Sequence, residues 1–363
     1  MPATILLTGG AGFIGSHTYV ALVEAGYQVV ILDNFSNAAR DVPERLAQIT
    51  GHAVIAHDVD AGDSLALDAV FETYAIDAVV HFAAKKSVPQ SLANPQRFFN
   101  ANIVSLLTLM RAMERHGVNR MVYSSSATVY GAPESLPIPE HAPLRYTNPY
   151  GLSKLLGEQF LNQKIRQPQG WDVGVLRYFN PAGAHVSGLI GEAPLSNGGN
   201  LMPLLARVAK KELPFLTIFG QNYGTPDGTG IRDYIHVCDL AKGHVQSLEK
   251  LLRHRQSHTV NLGKGEGHSV LDLVKTYEKV SGQTIPYRFQ DRRAGDVAAS
   301  FADPSMAADL LDFRAERNLW DMCQSSWRWE TLSDPAWQLS EAKPTPRILK
   351  MPAAGLSPQD FRH

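Results

Sequence analysis

The tightest constraint on this chain stands close to its start. Thr8-Gly9-Gly10-Ala11-Gly12-Phe13-Ile14-Gly15 follows directly on the apolar run Ile5 to Thr8 and leads into a helical pattern over Phe13 to Ala25. Residues without Cβ let a strand turn sharply into a helix and let the backbone approach a ligand closely. The first amides of such a helix, backed by its dipole, suit a phosphate. The next apolar run, Gln28 to Asp33, ends in a carboxylate at the spacing of an acid that accepts from an adenosine ribose. These features predict a dinucleotide site, with Gly9, Gly12, Phe13, Ile14 and Gly15 at the pyrophosphate. Asp33 would repel a 2′-phosphate, so NAD is expected rather than NADP; Arg40 is the residue that opposes this. Asp58 and Val59, after the third apolar run, are placed to flank the adenine.

Apolar runs recur at Ala53 to Ala56, Ala78 to Phe82, Arg120 to Ser124 and Val173 to Tyr178, between helical stretches such as Phe98 to Arg115 and Tyr150 to Arg166. Strands apolar at nearly every position are covered on both faces. The alternation predicts an α/β chain with a Rossmann-type doubly wound parallel sheet over residues 1–180. A smaller, loop-rich α/β substrate domain is expected over 181–334, with some segments free to return to the first. Pro335, Pro344, Pro346, Pro352 and Pro358 mark 335–363 as an extended tail.

Composition excludes several classes. Charged residues make up 19% and the formal net charge is −1, so the basic surface that neutralises nucleic-acid phosphates is missing. No apolar run approaches membrane-spanning length and no leader pattern opens the chain, so a soluble, cytoplasmic protein is expected. Cys238 and Cys323 give neither a disulfide framework nor a metal pair. His254 and His258 share a helical spacing without an evident third ligand, so no metal is expected. Trp320, Trp327 and Trp329 are read as core or interface.

Asn148-Pro149-Tyr150-Gly151-Leu152-Ser153-Lys154 reads as a helix start, capped by Asn148. At i, i+4 the Lys154 ammonium is expected near the Tyr150 phenol, lowering its pKa from about 10 so that it serves as a general base. Ser126 lies in Ser124-Ser125-Ser126-Ala127-Thr128-Val129-Tyr130-Gly131, at the C-terminal end of a strand, where ligands of open α/β sheets bind.

Together these motifs resemble the extended short-chain dehydrogenase/reductase family and, more narrowly, its UDP-glucose 4-epimerase branch. The resemblance also covers His81-Phe82-Ala83-Ala84, Leu176-Arg177-Tyr178-Phe179-Asn180-Pro181, Asn200-Leu201-Met202-Pro203 and Asp227 to Val237. It implies that Tyr150 removes the proton of a sugar 4-hydroxyl, that Ser126 positions it, and that C4 exchanges a hydride with tightly held NAD. A 4-keto sugar then turns about its phosphate linkage and is reduced on its other face. By the same carry-over Asn34, Asn37, Phe82, Ala83, Lys86, Asn102, Lys154 and Tyr178 lie on the cofactor side. Lys86, Phe179, Asn180, Asn200, Leu201, Arg232, Arg293, Asp296 and Ser300 contact the UDP-sugar. The helices from Phe98 and Tyr150 resemble those that pair in a homodimer.

Related sugar-nucleotide dehydratases carry an Asp-Glu pair where Ala127 and Thr128 stand here, so elimination of water is not expected. Ser300 occupies a position where members restricted to non-acetylated sugars often have tyrosine, implying room for a 2-acetamido group. Pro89-Gln90 departs from the usual Gly-Glu. Two other readings remain: a 4-epimerase of UDP-uronic acids or related oxidoreductase, which would need a further cation near C5, and a catalytically silent NAD-binding protein, which would not need Tyr150 with Lys154.

Overall fold

The computed structural model describes residues 2–168, 170–193, 200–293 and 295–332, and the backbone of Arg347–Leu349. β1 (Thr4–Thr8) turns through the glycine loop into α1 (Phe13–Glu24); β2 (Gln28–Asp33), α2 (Val42–Thr50), β3 (Ile55–Asp58), α3 (Ser64–Thr73) and β4 (Ala78–His81) follow. After α4 (Val88–Ala93), α5 (Pro95–Phe99) runs through a wide π-type turn at Asn100–Val104 into α6 (Ser105–Arg115). Then come β5 (Arg120–Ser126), α7 (Pro149–Ile165) and β6 (Asp172–Tyr178). The remaining elements are β7 (Asn180–Ala182), α8 (Leu201–Ala209), β8 (Leu216–Phe219), β9 (Ile231–His236), α9 (Val237–His254), β10 (His258–Leu262), β11 (Gly267–Ser269), α10 (Val270–Ser281), β12 (Tyr287–Gln290), β13 (Ala299–Ser300), α11 (Ser305–Leu311), α12 (Leu319–Leu332) and β14 (Arg347–Leu349).

The large sheet has the order β10-β6-β5-β4-β1-β2-β3-β14, with every pair parallel. Alternate strand residues enter two separate cores. Ile5, Leu7, Ile31, Val80, Val122 and Leu176 meet α1 and α9 on one face. Leu6, Val30, Val79, Met121 and Val173 meet α3, α6 and α7 on the other. That division explains the unbroken apolar runs, and each such side chain contributes about 1.5–3 kcal/mol on burial. The Rossmann-type doubly wound architecture is therefore present. Strand order reverses at β1, whose neighbours are β2 and β4, and the crevice at that switch point is where ligands of open sheets bind.

Several expectations shift. The third strand starts two residues later than Ala53. Phe98 to Arg115 is interrupted by the π-type turn rather than being one uniform helix. The stretch beyond residue 180 is richer in helix than expected, and α9, packed against α1, returns with β10 to the large sheet. Around β8 and β9 a third core gathers Met202, Leu205, Ile218, Leu273, Tyr277 and Met322. His254 closes α9 whereas His258 opens β10, so they share no helix face; among the described residues no group of three metal ligands gathers. Trp329 is buried and Trp327 packs on the third core, but Trp320 is largely exposed. Of the expected tail, Arg347–Leu349 adds a strand beside β3, while its prolines lie outside the described residues.

One buried ion pair ties the sheet to its covering helix. Arg177 on β6 donates to both carboxylate oxygens of Glu158 on α7, at 3.0 and 2.7 Å, and Ser125 donates to the same carboxylate. Both partners are almost wholly buried. Arg177→Met should cost about 3–5 kcal/mol, because it strands a buried charge, while Glu158→Met with Arg177→Met should recover much of that loss. Urea unfolding measures both; equal stability of the single variant and the parent would contradict this.

Candidate functional site

The C-terminal edges of β1, β4, β5 and β6 meet at the crevice. At β1 the glycine loop is closed from below: Gly9 N donates to Leu32 O (2.7 Å) and Gly12 N to Gly9 O (3.2 Å). Gly9 has φ +70°, and a Cβ there would lie 2.7 Å from Ala83 N, so no other residue fits this turn without moving β4's extension. Gly12 precedes α1 without any capping side chain, which leaves the first amides of α1 as free donors at the crevice. Asp33 is buried and fixes the loop, accepting from Ala11 N (3.0 Å) and Phe35 N (2.9 Å). Burial raises its pKa, with those amides opposing. Each oxygen keeps a further lone pair for a ribose hydroxyl. An uncapped helix start, a turn that excludes side chains and a fixed carboxylate fit a dinucleotide.

Around this cradle Asn34, exposed, donates to Asp60 (2.7 Å), and Asn37 is exposed beside it. Arg40 pairs with Asp58 (2.9 Å) and lies over Phe35, so the cation that could favour NADP is already engaged. Val59 is buried, its amide bonded to Asp33 O (3.1 Å). Phe82 and Ala83 both donate their amides to Thr8 O, which holds them over the glycine loop. Asn102 is buried and saturated by the protein: it accepts from Lys85 N (2.7 Å) and donates to Lys85 O and Ser153. It therefore joins the loop after β4 to α7.

α7 brings the catalytic candidates together. Asn148 caps it, accepting from Gly151 N (2.9 Å), and Pro149 opens the first turn. Ser126, at the end of β5, accepts from Thr128 N and Oγ1, and its hydroxyl lies close enough to the Tyr150 phenol to pull that group's pKa down. Lys154 is buried, and its ammonium donates to Ser124 O (2.7 Å), 5.1 Å from the Tyr123 ring centroid. Burial lowers its pKa to about 7, with the Glu158 carboxylate opposing. The expected lowering of the Tyr150 pKa by Lys154 is not found. Burial raises it and the Ser126 hydroxyl alone pulls the other way, because the ammonium is turned onto a β5 carbonyl. Tyr178, on β6, is buried behind them with its pKa pushed up by burial, and its hydroxyl donates to His244 Nε2, whose ring also meets Phe82.

The second half supplies the other wall. β13 pairs with β9 so that Ser300 stands opposite Arg232. Asp296 lies 3.9 Å from Arg232 and 3.1 Å from Arg293, whose guanidinium covers Phe219. Phe179 is buried, Asn180 and Asn200 are exposed, and Leu201 opens α8. Pro89-Gln90 falls in the first turn of α4, where Ser87 is the cap and Pro89 costs no hydrogen bond. Glu192 was not apparent from the sequence. Its Oε1 accepts from Lys86 (2.9 Å) and Asn200 (2.7 Å), joining residues far apart in the chain; neither a motif nor a local spacing announces it. His244 and Phe219 were missed for the same reason.

Such a crevice, with a hydroxyl, a phenol and an ammonium beside a dinucleotide cradle, defines the class of short-chain dehydrogenase-like proteins. The comparisons with known proteins narrow it. The NAD dependent epimerase/dehydratase family matches residues 5–263, and the chain belongs to that family. It is 50% identical to the UDP-glucose 4-epimerase of Bacillus subtilis over 93% of this chain and 99% of that one. The solved UDP-glucose 4-epimerase of Stenotrophomonas maltophila, with bound NAD and formylated UDP-arabinopyranose, superposes with a TM-score of 0.90 at 46% identity, covering 92% and 99% of the two chains. The Bifidobacterium longum enzyme, in complex with NAD+ and UDP, gives 0.87 at 46% identity over 92% and 99%. No helix of the described residues is long and apolar enough to cross a membrane.

The Lys154 shift has a consequence for stability. Its folded pKa, about 7, lies below the unfolded value, so between about pH 7 and 10 the unfolded chain binds the extra proton and stability rises with pH. In cofactor-free protein this rise should be reduced in Lys154→Met; an unchanged pH dependence of thermal unfolding would show that Lys154 stays charged.

Proposed function

We propose that this chain is a UDP-hexose 4-epimerase that interconverts UDP-glucose and UDP-galactose with tightly held NAD. The observation that carries the proposal is the convergence of Ser126 at the end of β5 with Tyr150 and the buried Lys154 ammonium in the first turns of α7, at the sheet edge that also bears the glycine cradle. The amides at Phe13, Ile14 and Gly15, the close backbone approach at Gly9 and Gly12, and the Asp33 carboxylate would hold the dinucleotide, with Asn34, Asn37, Asp58, Val59, Phe82, Ala83, Lys86, Asn102 and Tyr178 around it. NAD, when bound, supplies a reversible hydride acceptor.

The remaining chemistry falls to side chains. Tyr150 takes the proton of the sugar 4-hydroxyl and gives it back after inversion, and Ser126 shares that hydrogen bond. Lys154, held against β5 through Ser124 O, would grip the nicotinamide ribose. Arg232 and Arg293 clamp the diphosphate, for which a guanidinium fork is suited. Asp296 and Phe219 take the uridine end, and Asn180, Asn200, Leu201 and Phe179 line the sugar side. Ala127 and Thr128 offer no carboxyl, which disfavours elimination. Ser300, small and opposite Arg232, leaves room for an acetamido group. The protein is read as cytoplasmic and homodimeric, pairing through the α5–α6 and α7 face, where Val104 is exposed.

Purified protein without added cofactor should interconvert UDP-glucose with UDP-galactose, and UDP-N-acetylglucosamine with UDP-N-acetylgalactosamine, by proton NMR. Ser300→Tyr should suppress the acetylated pair by about tenfold or more and spare the plain pair. No interconversion of any pair overturns the proposal. Strict preference for the plain hexoses, unaffected by Ser300→Tyr, removes its acetamido part.

A further inference from the structure

Glu192 stands at the end of a loop, residues 183–192, and holds Lys86 and Asn200 with one oxygen. Its other oxygen is buried without a protein partner among the described residues. A carboxylate in that position orients its neighbours only as well as its own backbone is held. The loop folds on itself, His185 N donating to Ile190 O (3.1 Å) and Gly188 N to His185 O (3.0 Å). Two elements distant in sequence then press on it. Trp329 of α12 lies flush on Gly191: a Cβ there would come 2.4 Å from the indole, so the ring sits where any side chain would be. Arg45 of α2 lies 5.3 Å from the Trp329 ring centroid and donates from Nη1 to Leu189 O (3.2 Å). Asp41 fixes the same guanidinium through Nε (3.1 Å) and Nη2 (2.7 Å).

We infer that Arg45 and Trp329 are positioning residues for the sugar subsite, clamping loop 183–192 so that Glu192 orients Lys86 and Asn200. Neither residue touches the candidate catalytic groups, and both act through Glu192. The inference rests on the proposed UDP-sugar site. A guanidinium stacked on a buried indole while bonded to a carbonyl of the same loop restrains that loop from two directions.

The test is a double-mutant cycle read in binding and in turnover. Affinity for UDP-galactose is measured by calorimetry in a Tyr150→Phe background, and KM and kcat in the parent. Arg45→Met should weaken affinity and raise KM by about fivefold. kcat should stay within about twofold, the signature of lost ground-state positioning. Arg45→Lys, which keeps a cation near the indole, should restore most of the affinity. With Glu192→Gln already present, Arg45→Met should add less than about 1.5-fold. Trp329→Leu should repeat the pattern independently. An equal loss in both backgrounds, or none in either, overturns the inference. Absent turnover with intact UDP-galactose binding overturns the epimerase reading and leaves the affinity comparison decisive; absent binding overturns both.

Discussion

The arrangement depends on a buried ammonium held against the end of a strand. Lys154 donates to the Ser124 carbonyl, and this bond fixes the first turns of α7 against β5. A buried ammonium is costly unless paired or solvated by dipoles, and here one carbonyl and the Glu158 carboxylate meet that need. Glu158 is itself neutralised by Arg177, and Arg177 donates to Tyr130, which donates to Asn261. The charge of Lys154 is thus one end of a buried polar network that runs through the sheet. The network sets Ser126 and Tyr150 in register because Ser124, Ser125 and Ser126 are consecutive on one strand.

That register also explains a division of labour between the two faces of the crevice. One face is knit by neighbouring strands: Asp33 ties the glycine loop to β2, and Thr8 O ties Phe82 and Ala83 to β1. The other is built from loops of the second half and depends on long-range contacts, Asp296 between two arginines and Glu192 between Lys86 and Asn200.

Much of this was legible in the sequence wherever function is encoded by local spacing. The glycine loop, Asp33, and Tyr150 with Lys154 are all fixed by short-range geometry of strand, turn and helix. The doubly wound sheet was readable because strands buried on both faces must be apolar at nearly every position. Sequence reasoning failed where burial or distant partners decide. Helical spacing placed Lys154 near Tyr150 but gave no sign that its ammonium turns to Ser124 O, nor that burial dominates the phenol's pKa. Glu192, His244 and Phe219 acquire their roles only when segments far apart in the chain are brought together. The π-type turn at Asn100–Val104 likewise has no local signature beyond an ordinary helical pattern.

One phenol carries the proton of the sugar 4-hydroxyl, and replacing that phenol's own hydroxyl while leaving the cradle intact tests its role most directly. Tyr150→Phe should purify with NAD in the same ratio as the parent, as measured from nicotinamide released on denaturation. Its turnover of UDP-galactose should fall by about 10²–10⁴-fold. Turnover close to the parent's, with NAD still bound, would contradict the account.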